Sequence, residues 1–260
     1  MQVETKGLDQ LFKSLDDFEK SQFLYAAARA ITKTGQDVKD ALIKEMSRVF
    51  DRPTPYTLNS LYLRPAKKND LSAFIYPKDA GVFFGMGTPA KKFLYPEIEG
   101  GPRHVKRFER ALQARDILPT GMYVTPGAAA DLDIYGNISA GQIRQILSFF
   151  GAAEMTMGYT ANMAEKDKAK LAKGTKKKRG FAYFVSNGRG GSPSRLPYGI
   201  YKRTGFAWGS AIKPILLFVR KPSYKSLFKF FEIGQKVSGE TFSKNFREAM
   251  DEALRTARLK

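Results

Sequence analysis

The chain of 260 residues has no cysteine and a single histidine, His104. The first absence excludes disulfides, thiolate metal sites and cysteine nucleophiles together. The second leaves little for general acid–base chemistry, which needs groups that titrate near neutral pH. Long apolar runs are also missing. The longest clean ones, such as Ile215 to Val219, are far too short to span a bilayer. The opening "MQVETKGLDQLFKSL" is polar and then amphipathic, so neither a secretory signal nor a membrane contact is expected. No GxSxG, HExxH or CxxC motif occurs, and no Walker-type lysine. "NGRGGS" and "FFGMGTP" hold glycines, but neither opens a helix as a phosphate cradle requires. No cofactor and no enzyme activity are expected.

What the chain does have is aromatic bulk and positive charge. Hydrophobic residues make up 43%, with 20 Phe and 12 Tyr, enough for a packed core. Against 44 Lys and Arg stand 25 Asp and Glu, a formal net charge of +19. Such an excess attracts polyanions: DNA, RNA, an anionic membrane or an acidic protein.

Periodicity orders the chain as helices, strands, helix. Leu8, Leu11, Phe12, Leu15 and Phe18 mark one amphipathic helix, and Phe23, Leu24, Ala27, Ile31, Val38, Leu42, Met46 and Val49 a second, with Gly35 as a soft point. "DRPTPYT" ends it, and Thr57 is a candidate cap for a short turn. "LYLRPAKKNDLSAFIYP" predicts two strands joined at "KKND", and "AGVFFGMG" another strand. "GGPRHVKRFERALQARDIL" predicts a basic amphipathic helix with Arg103, Lys106, Arg107 and Arg110 outward. "GMYVTPG" reads as a strand and "SAGQIRQILSFFGA" as a helix capped by Ser139. "FAYFV", "YGIYKR" and the buried "AIKPILLFV" read as further strands. From Leu227 the chain is helical, with Phe242, Phe246, Met250 and Leu254 stepping by four. The expected class is α+β: an antiparallel sheet with amphipathic helices at both termini, one domain over residues 1–260 with an inserted middle subdomain at residues 89–151.

Few groups suggest chemistry. His104 stands alone among cations. The pairs Glu97/Glu99 and Asp131/Asp133 would each share a face on a strand, but no third acidic ligand accompanies either. The strongest local feature is "KDKAKLAKGTKKKRGFAYFV": Lys166, Lys168, Lys170, Lys173, Lys176, Lys177, Lys178 and Arg179, eight basic residues against two acids between Glu165 and Arg179. Such a block repels itself and predicts a mobile loop over residues 165–180. Phe181, Tyr183 and Phe184 follow it at strand spacing and are expected in the sheet, so phosphate rather than base would be its target.

The opening "KGLDQLFKSLDDF…AAARAITKTGQDVKDALIKEM", the later "RLPYGIYKRTG" and "AIKPILLFV", and the closing helix together resemble phage tail completion proteins, the lambda minor tail protein Z family. "GTPAKKFLYPEI" is similar to a segment of the wider tail-component family that includes the phage HK97 neck proteins. The segment "GMYVTPGAAADLDIYGNISAGQIRQILSFFG" has no counterpart in the lambda protein. The resemblance implies a structural virion protein, made in the host cytoplasm, whose copies form a homo-oligomeric ring at the head–tail junction beside other tail and head-connector proteins. A ring that passes double-stranded DNA is served by cations that contact phosphate without reading sequence. The basic block is then a loop that orders against DNA or an adjoining ring. The competing classes are a basic nuclease using His104 or the Asp131/Asp133 pair, and a nucleic-acid-binding protein outside any virion.

Overall fold

The computed structural model describes residues 17–78, 88–153, 161–175, 178–187, 196–206 and 208–257. In chain order the elements are α1 (Asp17–Val49), α2 (Pro55–Leu58), β1 (Leu61–Arg64), β2 (Phe74–Pro77), α3 (Lys91–Glu99), β3 (Gly101–Pro102), α4 (Arg107–Gln113), β4 (Met122–Pro126), α5 (Ala140–Phe149), α6 (Glu165–Lys173), β5 (Phe181–Ser186), β6 (Gly199–Phe206), β7 (Gly209–Arg220), β8 (Ser223–Tyr224) and α7 (Phe230–Ala257). The class is α+β with antiparallel pairing and helices at both ends. Of the helix expected over Leu8 to Phe18, residues 8–16 lie outside the described residues and Asp17 and Phe18 begin α1; the strand expected in "AGVFFGMG" lies outside them too.

The chain divides into two compact units. One comprises Met1–Gly101 with Tyr224–Lys260, the other Pro102–Ser223. This corrects the expected insertion at residues 89–151. Residues 89–101 belong with the termini, and the inserted unit runs on to Ser223 because β4 pairs with β7 (Met122↔Arg220 to Pro126↔Leu216). A strand cannot leave the partner that satisfies its amides.

In the first unit, α1 buries Phe23, Ala26, Ala30, Thr34, Val38, Leu42 and Met46, steps of three and four that keep one helical face inward. Gly35 is not a soft point: the helix runs through it, and a Cβ there would stand 2.8 Å from Leu63 Cδ1 of β1. The helix ends before Pro53, and α2 starts at Pro55 with Thr54, not Thr57, as its cap. Thr54 Oγ1 accepts from the Thr57 amide at 3.1 Å. Along α7 a small-residue seam forms, with Ala249 and Ala253 against Ala26 and Ala30 and with Phe242, Phe246 and Met250 beside them. Leu254 is 54% exposed, because a strict four-residue step drifts about 40° per step around a helix of 3.6 residues per turn. β1 and β2 form the expected hairpin, with Tyr62 opposite Tyr76. Leu61, Ile75, Leu94 and the fully buried Phe228 pack with Val38, Leu42 and Met46.

The second unit is built on a four-stranded antiparallel sheet in the order β4–β7–β6–β5. The β6–β7 register skips Ile215 (Ile200↔Leu216, then Tyr201↔Pro214), a bulge that lets the consecutive Ile215 and Leu216, both 1% exposed, enter the same core. Leu112 of α4 and Ile146 of α5 close the core over Val124, Tyr183, Ile200 and Phe218. α5 begins where expected: Ser139 Oγ accepts from the Gln142 amide at 3.2 Å. The Tyr183 hydroxyl donates to Gln145 Oε1 at 2.9 Å. Burial and the nearby Asp131 push its pKa up to about 12.

Candidate nucleic-acid interface

The lysine-rich segment is not a loop through its length. Residues 165–173 form α6, because Glu165 and Asp167 in the first turn and Lys170 and Lys173 in the last complement the helix dipole. Lys168 Nζ meets Glu165 Oε1 at 2.7 Å and Lys170 Nζ meets Asp167 Oδ1 at 3.6 Å, so the two acids offset the repulsion that composition alone predicts. Gly174, at φ 75°, ends the helix. The chain then reverses: Gly174 bridges Arg179, and the Thr175 amide donates to the Lys178 carbonyl at 2.8 Å. Lys166, Lys170, Lys173, Lys178 and Arg179 are exposed, while Lys168 lies with its ammonium 5.5 Å from the Phe149 ring centroid. Lys176 and Lys177 lie outside the described residues.

The second basic group splits. The helix expected from Arg103 onward begins only at Arg107, with Lys106 as its N-cap residue. Arg103 does not face outward as expected. Its guanidinium makes a bidentate pair with Glu109, Nη1 to Oε2 at 2.8 Å and Nη2 to Oε1 at 2.5 Å, with side chains 13% and 0% exposed. Glu109 also accepts from the Lys106 amide (2.6 Å) and the Val124 amide (2.7 Å), tying the start of α4 to β4. Arg103 further lies over the Tyr123 ring at 4.7 Å. Burial opposes ionisation of Glu109, but Arg103 and the two amides outweigh it and hold its pKa below the usual carboxylate value. Arg103 is therefore structural. Arg107 and Arg110 remain on the exposed side of α4. Arg107 joins Arg144 of α5 around a groove of about 940 Å³ walled by Phe108, Ile143, Leu147 and Met163.

The residues weighed for catalysis are scattered. His104 is exposed, and its carbonyl accepts from Arg103 Nη1 at 3.1 Å. Glu97 and Glu99 sit on helix α3 rather than on a strand, so a spacing of two turns them to different sides. Asp131 receives Gln142 Nε2 at 3.1 Å, and Asp133 Oδ1 pins a turn through the amides of Tyr135 and Asn137, both at 2.9 Å. Each carboxylate of that pair thus has a structural partner.

A third cationic surface, which no charge block or motif marks in the sequence, lies on β5, β6 and β7. Lys202 and Lys213 are paired across β6 and β7, with Arg203 on the neighbouring position and Trp208 at the hairpin tip. Three cations lie over rings of the same sheet: Lys202 on Phe181 at 4.0 Å, Arg203 on Phe184 at 4.8 Å and Arg179 on Phe206 at 4.7 Å. A sequence signal existed. No Asp or Glu occurs between Asp167 and Glu232, a run of 64 residues with 16 Lys and Arg.

No protein-family model matches the chain, and no curated protein or solved structure matches it either. Among the described residues no helix is long and apolar enough to cross a membrane.

Proposed function

We propose that the chain is a structural virion protein of a bacteriophage, a tail-completion or neck component whose copies form a ring at the head–tail junction through which double-stranded DNA passes. The observation that carries this reading is where the family-like segments fall. "AAARAITKTGQDVKDALIKEM" lies in α1 and the closing helix is α7, and these two are packed along the Ala26–Ala30 and Ala249–Ala253 seam. "YGIYKRTG" and "AIKPILLFV" are the adjacent strands β6 and β7. The resembling segments therefore make up the scaffold of each unit, while residues 121–151, which lack a counterpart, add edge strand β4 and helix α5.

In this role no residue is catalytic and no cofactor is bound. The exposed cations of α4, α6 and the hairpin contact phosphate without reading base sequence. Copies meet head to tail, the contact type that closes into rings, and the ring neighbours tail and head-connector proteins in the virion. Native mass measurement and electron microscopy of particles test the reading. Several copies in a closed ring between head and tail are expected. A single copy per particle, or absence of the chain from particles, overturns it.

A further inference from the structure

We infer that the β6–β7 hairpin is a duplex-DNA contact: a two-stranded ribbon whose stem engages phosphates and whose tip sets Trp208 against the bases. The inference deepens the proposed role and rests on it only for duplex DNA being the polyanion met.

The pairing registers show that the hairpin outruns its sheet. β4 stops pairing with β7 at Pro126↔Leu216, and β5 begins pairing with β6 at Phe181↔Thr204. The pairs Gly205↔Ser210 and Phe206↔Gly209 therefore extend past both outer strands. A projecting two-stranded ribbon is one of the two elements that B-DNA's major groove admits.

The charges lie just below the projecting pairs, where β5 still flanks β6; Lys202 and Arg203 each rest over a β5 ring, but among the described residues no acid pairs with either. Lys202 and Lys213 are direct cross-strand partners, an arrangement in which like charges destabilise a sheet. No acid lies in the surrounding sequence to offset them. Arg203, one residue from Lys202, falls on the opposite face, so both faces carry cations. An elongated polyanion that runs along the ribbon satisfies both.

The tip supplies the other half of the chemistry. Trp208 is 100% exposed and Phe206 44%. A free indole leaves a large favourable burial unused. Aromatic rings alternating with Arg and Lys along a strand form the surface on which bases stack or between which an apolar wedge enters a base step. An anionic membrane would also take an exposed indole and cations, but it favours a single belt of charge at one depth. Here the cations continue down the stem on both faces, which favours the duplex.

Trp208 is the chain's only tryptophan, so its emission reports the tip alone. The full chain is titrated with a short mixed-sequence duplex, with heparin and with phosphatidylglycerol vesicles, and affinity is measured separately by anisotropy of a labelled duplex. The duplex should quench and shift the emission, and heparin, which has no bases, should not. Trp208→Ala should weaken duplex binding roughly tenfold with an unchanged salt slope. The double variant Lys202→Gln, Lys213→Gln should flatten the slope of log affinity against log salt by about 0.9 per residue. Its melting temperature should stay close to the parent's, because relief of the like-charge pair opposes loss of the Lys202–Phe181 contact. Equal quenching by heparin, an unchanged affinity for Trp208→Ala, or an unchanged slope in the double variant overturns the inference. So does an emission shift with vesicles alone, which would make the partner a membrane surface. Ring formation without duplex binding refutes only this contact, whereas duplex binding by a chain absent from particles refutes only the proposed role.

Discussion

The side-chain amide of Asn245, on the last helix, donates to Thr34 Oγ1 on the first at 3.0 Å, and the same nitrogen reaches Asp37 Oδ2 at 2.7 Å. Thr34 is 0% and Asn245 3% exposed, in a seam otherwise made of alanine and aromatic side chains. A buried polar pair of this kind fixes the register of two helices that alanines alone would let slide. Asn245→Ala should lower stability by about 1–3 kcal/mol, because Thr34 is left buried with its partner gone. Thr34→Val combined with Asn245→Leu should recover part of that loss. Thermal and denaturant melts of the parent, Thr34→Val, Asn245→Leu and the double variant measure the coupling, and purely additive losses would show that the contact does not lock the helices.

The Arg103–Glu109 pair predicts a pH dependence. The folded pKa of Glu109 lies below its unfolded value of about 4.3, so its contribution is present above that value and is lost as pH falls through the folded pKa. Glu109→Gln should cost about 3–5 kcal/mol at neutral pH, because it leaves Arg103 buried without its counter-charge. The penalty should shrink on acidification. Urea melts from neutral to acid pH test this, and a penalty independent of pH would contradict it.

Gly35 tests the packing of α1 on β1. Ala is worth about 1 kcal/mol more than Gly inside a helix, but the new methyl must displace the Leu63 side chain at 2.8 Å. Leu63 ends in a mobile isobutyl group, so Gly35→Ala should change stability by less than about 1 kcal/mol. Gly35→Leu cannot be accommodated that way and should cost about 1–3 kcal/mol. Melting of both variants decides. Equal tolerance would mean that α1 stands off the hairpin.

The elements with strong periodicity or turn chemistry were legible in the sequence. α1 and α7 follow from their apolar steps, the β1–β2 hairpin from "KKND", and α5 from the Ser139 cap. What composition could not supply was pairing over distance. β4 joins β7 across some ninety residues, which moved the boundary of the inserted unit from residue 151 to Ser223. The lysine block reads as a loop from its charge count, yet Glu165 and Asp167 stand at the one end of a helix where acids stabilise it. Arg103 looks like its basic neighbours in sequence, and only the fold brings Glu109 and the edge of β4 to it. Lys202, Arg203 and Lys213 are dispersed among apolar residues, so neither a block nor a motif marks them; the lack of acids around them does.

The α6 lysines give a prediction separate from the hairpin. Lys166, Lys170 and Lys173 are exposed, and Gln matches Lys closely in helix propensity, so the triple Gln variant loses the last-turn charges of Lys170 and Lys173 but no propensity, and circular dichroism should show the parent's helix content. The Lys170–Asp167 pair it removes is a surface contact worth about 0–1 kcal/mol. If α6 meets duplex phosphates, the salt slope should flatten by about 0.9 for each lysine replaced, for any base sequence. A slope equal to the parent's would assign the contact elsewhere on the chain.

The central claim is that this chain is a structural ring component joining tail to head, and its removal from particle assembly tests that most directly. Particles assembled without the chain should accumulate as separate DNA-filled heads and tails. Adding back the parent, or the His104→Ala or Asp131→Asn variant, should restore joined particles. Normal joined particles in its absence would contradict the claim, as would failure of the His104→Ala chain to restore joining while a nuclease activity disappears with it.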